Sequence, residues 1–281
     1  MKFAPALAVL NALVIGTAAA LWVVASTPAR ADVPAFVDGP VMVKACAEIA
    51  TSLDCADCRC DAVSSTPSIG VTGETSDMVN GILVEVRGQS RDGKTRIHQV
   101  RVLLGDETKL VDGGVVVNRD VSEGQFKEGT WELVAAKQVY VMCPGACDWN
   151  AVGMVHLFEI RETWREGLVS LDDVRDYDMR TLTACMQDDK TPRCVYVELA
   201  MESREVTGRL TAKKPKLGKK TTLARTWKVG GKSGYELVLG KYSGNGLKDF
   251  SERSGREYKA KTMHFADLLT WPDAMSMTPT K

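Results

Sequence analysis

The chain has 281 residues, 44% of them apolar and 26% charged, with a formal net charge of zero. That composition is ordinary for a globular protein and excludes collagen-like, coiled-coil and low-complexity chains. Its length supports one large domain or two small ones, each with a buried core. The neutral total hides a division. From Asp32 to Ser203, 17 Lys and Arg face 29 Asp and Glu, a net of −12; from Arg204 to Lys261, 16 face 5, a net of +11. Such a split predicts an acidic unit and a basic unit that attract each other or another copy, or a basic face kept for an anionic partner.

Residues 1–31 read as an export signal: Met1 and Lys2 precede an apolar run from Ala6 to Ala25, and Ala29-Arg30-Ala31 supplies a small-x-small cleavage site. The run approaches the length needed to cross a bilayer, so an uncleaved N-terminal anchor is the alternative. Either way the rest of the chain lies beyond the membrane, in the periplasm or outside the cell. The remainder holds no N-x-[ST] sequon, which points to a bacterial envelope and not to a eukaryotic secretory route.

Residues 32–69 read as a cysteine-rich helical cap and linker. Val41, Ala45, Ile49 and Leu53 recur at four-residue steps after Pro40, predicting a helix over 40–53. Residues 70–190 read as an acidic β-rich domain. Ile82, Val84 and Val86 alternate in one strand and Val100, Val102 and Leu104 in the next, with Arg91-Asp92-Gly93-Lys94 as the turn. Placing both sets on one face would pair Val86 with Val100 through an odd-length loop. Further strands are predicted near Val115–Asn118, Trp131–Met142 and Val152–Arg161. Ser170-Leu171-Asp172-Asp173 has capping-box spacing, and Leu171, Val174, Leu182 and Cys185 can share a helical face, predicting a helix that ends this domain. Residues 191–281 read as a basic β-rich domain. Val195, Val197, Leu199 and Met201 alternate with polar neighbours, and further short strands are predicted over 206–212, 223–229, 235–242 and 256–263. The fold class is therefore mainly β: two small antiparallel sandwich-like or barrel-like units, a cysteine-rich helical cap and one intervening helix.

Outside the cytoplasm, the eight cysteines are first read as disulfides. Proximity pairs Cys143 with Cys147 and Cys185 with Cys194, and leaves Cys46, Cys55, Cys58 and Cys60 open among three pairings. A metal site on Cys55, Cys58 and Cys60 is a weaker alternative, since thiolates can hold zinc. Redox work by the Cys55/Cys58 pair is disfavoured by Asp54, Asp57 and Asp61, which would raise the thiol pKa. Only three histidines are present, and His156 falls in phase with Met154, Phe158 and Ile160, as a core residue would. A pocket joining His98 or His264 to carboxylates would mark a hydrolase. Asp172, Asp173, Asp176 and Asp178 lack the glycine and terminal glutamate of an EF-hand loop and read as a solvated acidic face.

The remaining functional signal is basic. Lys213, Lys214, Lys216, Lys219 and Lys220 crowd one stretch, and Arg225 and Lys228 follow it with Trp227 interleaved. These read as an anion-binding set for a lipid headgroup, an acidic glycan or another envelope component; export argues against nucleic acid. No cofactor is implied. The sequence thus points to an exported binding or structural protein, with a hydrolase and a metal-binding envelope protein as alternatives.

Overall fold

Pro40, at the first helical position, opens α1 (Pro40–Ser52) after a 3₁₀ turn over Ala35–Asp38, as predicted. The computed structural model describes residues 35–66, 80–141, 153–168, 173–188, 191–207, 216–231, 236–247, 259–268 and 275–277. The export segment, the Cys143–Cys147 pair, Lys213 and Lys214 lie outside the described residues.

The protein is mostly β, and its described residues form three antiparallel sheets. Sheet one is ordered β1 (Arg59–Ser65), β2 (Asn80–Gln89), β3 (Thr95–Gly105) and β4 (Leu110–Asn118), and β5 (Val121–Ser122) also pairs with β3. Sheet two is a meander of long strands: β6 (Gln125–Val141), β7 (Gly153–Leu168), β8 (Asp173–Asp188), β9 (Thr191–Thr207) and β10 (Lys216–Ala224), with β14 (Met275–Met277) also on β9. Sheet three is β11 (Trp227–Gly230), β12 (Glu236–Leu239) and β13 (Lys261–His264), followed by the short helix α2 (Phe265–Leu268).

Three apolar clusters bind these elements in layers. Met42, Ala45 and Ile49 of α1 pack on Ile82, Val84, Val86 and Leu103 of sheet one. The opposite face of sheet one, with Leu83, Val100, Val102 and Leu104, packs on Phe158, Ile160, Cys185 and Cys194 of sheet two. The far face of sheet two, with Leu157, Leu182, Val197 and Leu199, packs on Leu237, Leu239 and Met263 of sheet three and on α2. Sheets one and two are thus covered on both faces where they overlap.

Double coverage corrects two sequence readings. Val86 pairs with Gln99 and Glu85 with Val100, one residue off the predicted register, so the two apolar sets lie on opposite faces. The rule that one-sided burial fixes the register has no force when both faces are packed. The four-residue turn Arg91–Lys94, with Gly93 at φ +72°, closes this even register. The predicted helix after Ser170 is instead strand β8, paired with β7 from Gly167↔Val174 to Val155↔Met186. Helical spacing from Val174 would have required Asp178 on the apolar stripe, whereas period two places Leu182, Ala184 and Met186 on one face and Thr183 and Cys185 on the other. The boundary expected after residue 190 falls in the β8–β9 hairpin, so one sheet runs across it. The C-terminal strands divide between sheets two and three.

Away from the overlap, sheet two is held by cross-strand charges. Arg161 lies 2.6 Å from Asp178 and 3.3 Å from Glu132, Arg165 2.5 Å from Asp176, and Arg175 2.9 Å from Glu205. Of the acidic residues expected as a solvated face, Asp176 and Asp178 are here rungs of a charge ladder, each rung contributing about 0.2–1 kcal/mol; Asp172 lies outside the described residues.

Three disulfides join the six described cysteines: Cys46–Cys60, Cys55–Cys58 and Cys185–Cys194. The first ties α1 to β1, and the third links directly opposed residues of β8 and β9, the pairing expected from proximity. Gly88 is the seat of the second, for a Cβ there would stand 2.7 Å from Cys55 Sγ.

Candidate functional site

The end of sheet one that carries the Arg91–Lys94 turn stands beside the charged half of sheet two. A cleft of about 1030 Å³ opens between them. Arg87 of β2, Arg96 and His98 of β3, Arg119 just after β4 and Lys127 of β6 all line it. Strand pairing explains part of this convergence, because Arg87 lies opposite His98, and Arg96, two pairs further along, falls on the same face.

Behind the lining residues Arg87 and His98 lies a polar network around Glu85. Its Oε1 lies 2.6 Å from His98 Nε2 and accepts the Trp131 indole N–H at 3.2 Å; its Oε2 accepts from Arg87 Nη2 at 2.7 Å. The hydrogen bond from His98 does most to pull the Glu85 carboxyl down to about 2; burial opposes it, and Arg87 and Trp131 add to the pull. Arg119, only 4% exposed, donates from Nη2 to the Thr130 and Thr163 carbonyls. Its Nε stands 3.8 Å from Glu162 Oε2 and has no hydrogen-bond partner. Burial lowers the Arg119 pKa and pushes Glu162 up to about 7, against the attraction of Arg119 and Lys127. Desolvation therefore outweighs the ion pair on both sides.

An aromatic row borders this charge. Trp164 and Tyr177, opposed on β7 and β8, stack with centroids 4.7 Å apart, and Lys127 Nζ lies 5.3 Å from the Trp164 ring on the β6 side. A second hollow of about 630 Å³ shares Lys127 and Tyr177 with this cleft and is also lined by Asp120, Glu166, Arg175, Glu205 and the apolar Phe126 and Val174. Cations thus gather at one end and mixed charges at the other.

The basic residues singled out in the sequence lie elsewhere. Lys216, Lys219 and Lys220 are exposed on β10, the edge strand of sheet two, beside a register shift between Leu217 and Lys220. Lysines and a bulge on an edge strand hinder strand addition by another chain. Replacing these three lysines with threonine is expected to cause concentration-dependent association, seen as a rising sedimentation coefficient; a monodisperse variant would refute this role. Arg225 is buried, stacks 4.1 Å over the Tyr242 ring and donates to the Glu198 carbonyl, so it is unavailable to an external anion. Lys228 lines a separate hollow of about 400 Å³ with Trp227 and Lys137. The metal alternative at Cys55, Cys58 and Cys60 loses its thiolates to the two N-terminal disulfides.

His156 is fully buried, as its phase predicted, with Nδ1 2.8 Å from Thr66 Oγ1. His264 stands 3.8 Å from Glu236. Arg87, Arg96, Arg119, Lys127, Trp164 and Tyr177 escaped sequence reading because they are scattered through the acidic part of the chain and only strand pairing collects them. One available signal was the pair Arg87 and Arg96, which flank the recognised turn. Comparison with models of known protein families, with curated proteins and with solved structures finds no match.

Proposed function

We propose that this is an exported, disulfide-stabilised binding protein of the cell envelope or extracellular space, and that the cleft between sheets one and two holds an anionic ligand. The observation that carries this reading is the convergence of Arg87, Arg96, His98, Arg119 and Lys127 on one concave surface. Of the neighbouring carboxylates, Glu85 and Asp176 are already engaged by Arg87, His98 and Arg165, and Glu128 also lines the cleft, where the cations outnumber it. The disulfides fit an oxidising compartment. The exposed lysines of β10 supply long-range attraction to an anionic surface.

The test is titration with inorganic sulfate. Arg96 is exposed, so Arg96→Glu should leave folding intact while weakening sulfate binding about tenfold, the loss of one charge-assisted contact. Unchanged affinity would remove the cleft from consideration.

A second reading, a hydrolase, is favoured by the 2.6 Å approach of Glu85 to His98 Nε2, the arrangement that orients an imidazole base. Turnover of a sulfate or phosphate ester by the native protein that His98→Gln abolishes would establish it.

A further inference from the structure

We infer that the ligand of this cleft is an acidic oligosaccharide bound with its anionic group at one end: a carboxylate or sulfate among Arg87, Arg96 and His98, and hydroxyl-bearing rings running past Tyr177 toward Asp120, Glu166 and Glu205. The inference rests on the cleft being an anion site and names the class of its occupant. Three observations lead to it.

The two hollows share Lys127 and Tyr177 as lining residues, so they form one elongated groove. Each alone is of the size that holds a drug-sized molecule, so the joined groove fits a chain of several rings.

Charge changes along the groove. At the cationic end, Arg87, which spends one donor on Glu85, and the exposed Arg96 line the cleft. At the far end stand three carboxylates already fixed by donors of the protein: Asp120 accepts from His98 N and Gln99 Nε2, Glu166 from Trp164 Nε1, and Glu205 from Arg175. An ionised carboxylate has about four acceptor sites and donates nothing, so each keeps capacity for a hydroxyl. A nucleic acid, with a phosphate at every residue, would place negative charge against these carboxylates. An acyl chain would leave them desolvated without partners. A sugar chain with a single anionic end meets both halves of the groove with the correct chemistry.

The rings between the two ends suit the same occupant. Trp164 has Lys127 on one side and Tyr177 on the other, while Tyr177 lies opposite the small Ser203 on β9. Tyr177 and Phe126 therefore offer apolar surface to the C–H face of a pyranose.

The experiment is calorimetric titration of the full chain with four probes: a trisaccharide ending in one glucuronate, its carboxyl-reduced neutral counterpart, inorganic sulfate, and a short single-stranded oligonucleotide. The acidic trisaccharide is expected to bind about tenfold tighter than either the neutral trisaccharide or sulfate. Glu205→Ala, at an exposed rim position, should remove part of that advantage without changing sulfate affinity, while Arg96→Glu should weaken both. Equal binding of sulfate and trisaccharide, both sensitive to Arg96→Glu, would overturn the saccharide inference and leave the anion site standing. Tighter binding of the oligonucleotide would overturn it in favour of a nucleic acid. Failure of every anionic probe would remove the cleft reading itself.

Discussion

Arg101→Ala is expected to destabilise the folded protein by about 3 kcal/mol, the low end of the range for removing one partner of a buried charge pair, because Asp112 is only half-buried. Arg101 is fully buried on β3, on the α1-facing side with Leu103. Its Nε reaches both Asp112 carboxylate oxygens at 3.1–3.2 Å, Nη2 donates to Asp112 at 2.5 Å, and Nη1 donates to Gln99 Oε1 at 2.6 Å. Gln99 in turn donates to Asp120 at 2.5 Å. Truncation would strand Asp112 and Gln99 beside an apolar cavity, so the denaturation midpoint should fall with its slope unchanged. Replacing both partners with apolar residues, Arg101→Met with Asp112→Leu, should recover most of the loss, because a buried pair barely repays its own desolvation. A loss below about 1 kcal/mol for Arg101→Ala would mean that water reaches the site and relieves the orphaned carboxylate.

The chain's own chemistry shows why some of this was legible and some was not. Helix α1 was readable because it covers one face of sheet one with a single apolar stripe, and the Cys185–Cys194 pair because its members stand only nine positions apart in the chain. The β2–β3 turn was readable from Asp92-Gly93, but the register across it was not. Register inference assumes one wet face, and Leu83 on one side is as buried as Ile82 on the other. The same loss of contrast turned β8 into a predicted helix. The cleft was the least legible feature, since its cations are spread over three strands and a loop, with Arg96 and His98 sharing β3. The local crowding that drew attention to Lys216, Lys219 and Lys220 marks a sheet edge. A lone arginine within an alternating strand is a weak signal in sequence, and it becomes a site only when strand pairing sets Arg87 beside His98 and Arg96.

Glu162→Gln is expected to change the shape of the stability–pH curve. Burial raises the folded-state pKa of Glu162 from 4.5 to about 7, so the folded chain binds more protons than the unfolded chain between those values. That stability is fully present below pH 4.5 and is lost as the pH rises through 7. His156 behaves in the opposite sense: burial lowers its pKa from 6.5 to about 4, so its contribution is present above pH 6.5 and lost as the pH falls through 4. Each slope is limited to about 1.4 kcal/mol per pH unit. In the shared window, pH 4.5 to 6.5, the two oppose each other and the native protein should hold a plateau. Glu85, drawn down to about 2, loses its contribution only below pH 4.5. The glutamine keeps a carbonyl toward Arg119 and cannot ionise, so it leaves the His156 slope uncompensated: stability should fall by about 2–3 kcal/mol between pH 6.5 and 4.5. Above pH 7 the variant should gain on the native protein, because a buried charge held only 3.8 Å from an incompletely bonded arginine is gone. Urea midpoints measured at half-unit steps from pH 4 to 8 would check both arms. Parallel curves for variant and native protein would show that Glu162 keeps the same charge throughout this range, and that Arg119 is then matched by a carboxylate that never takes up its proton.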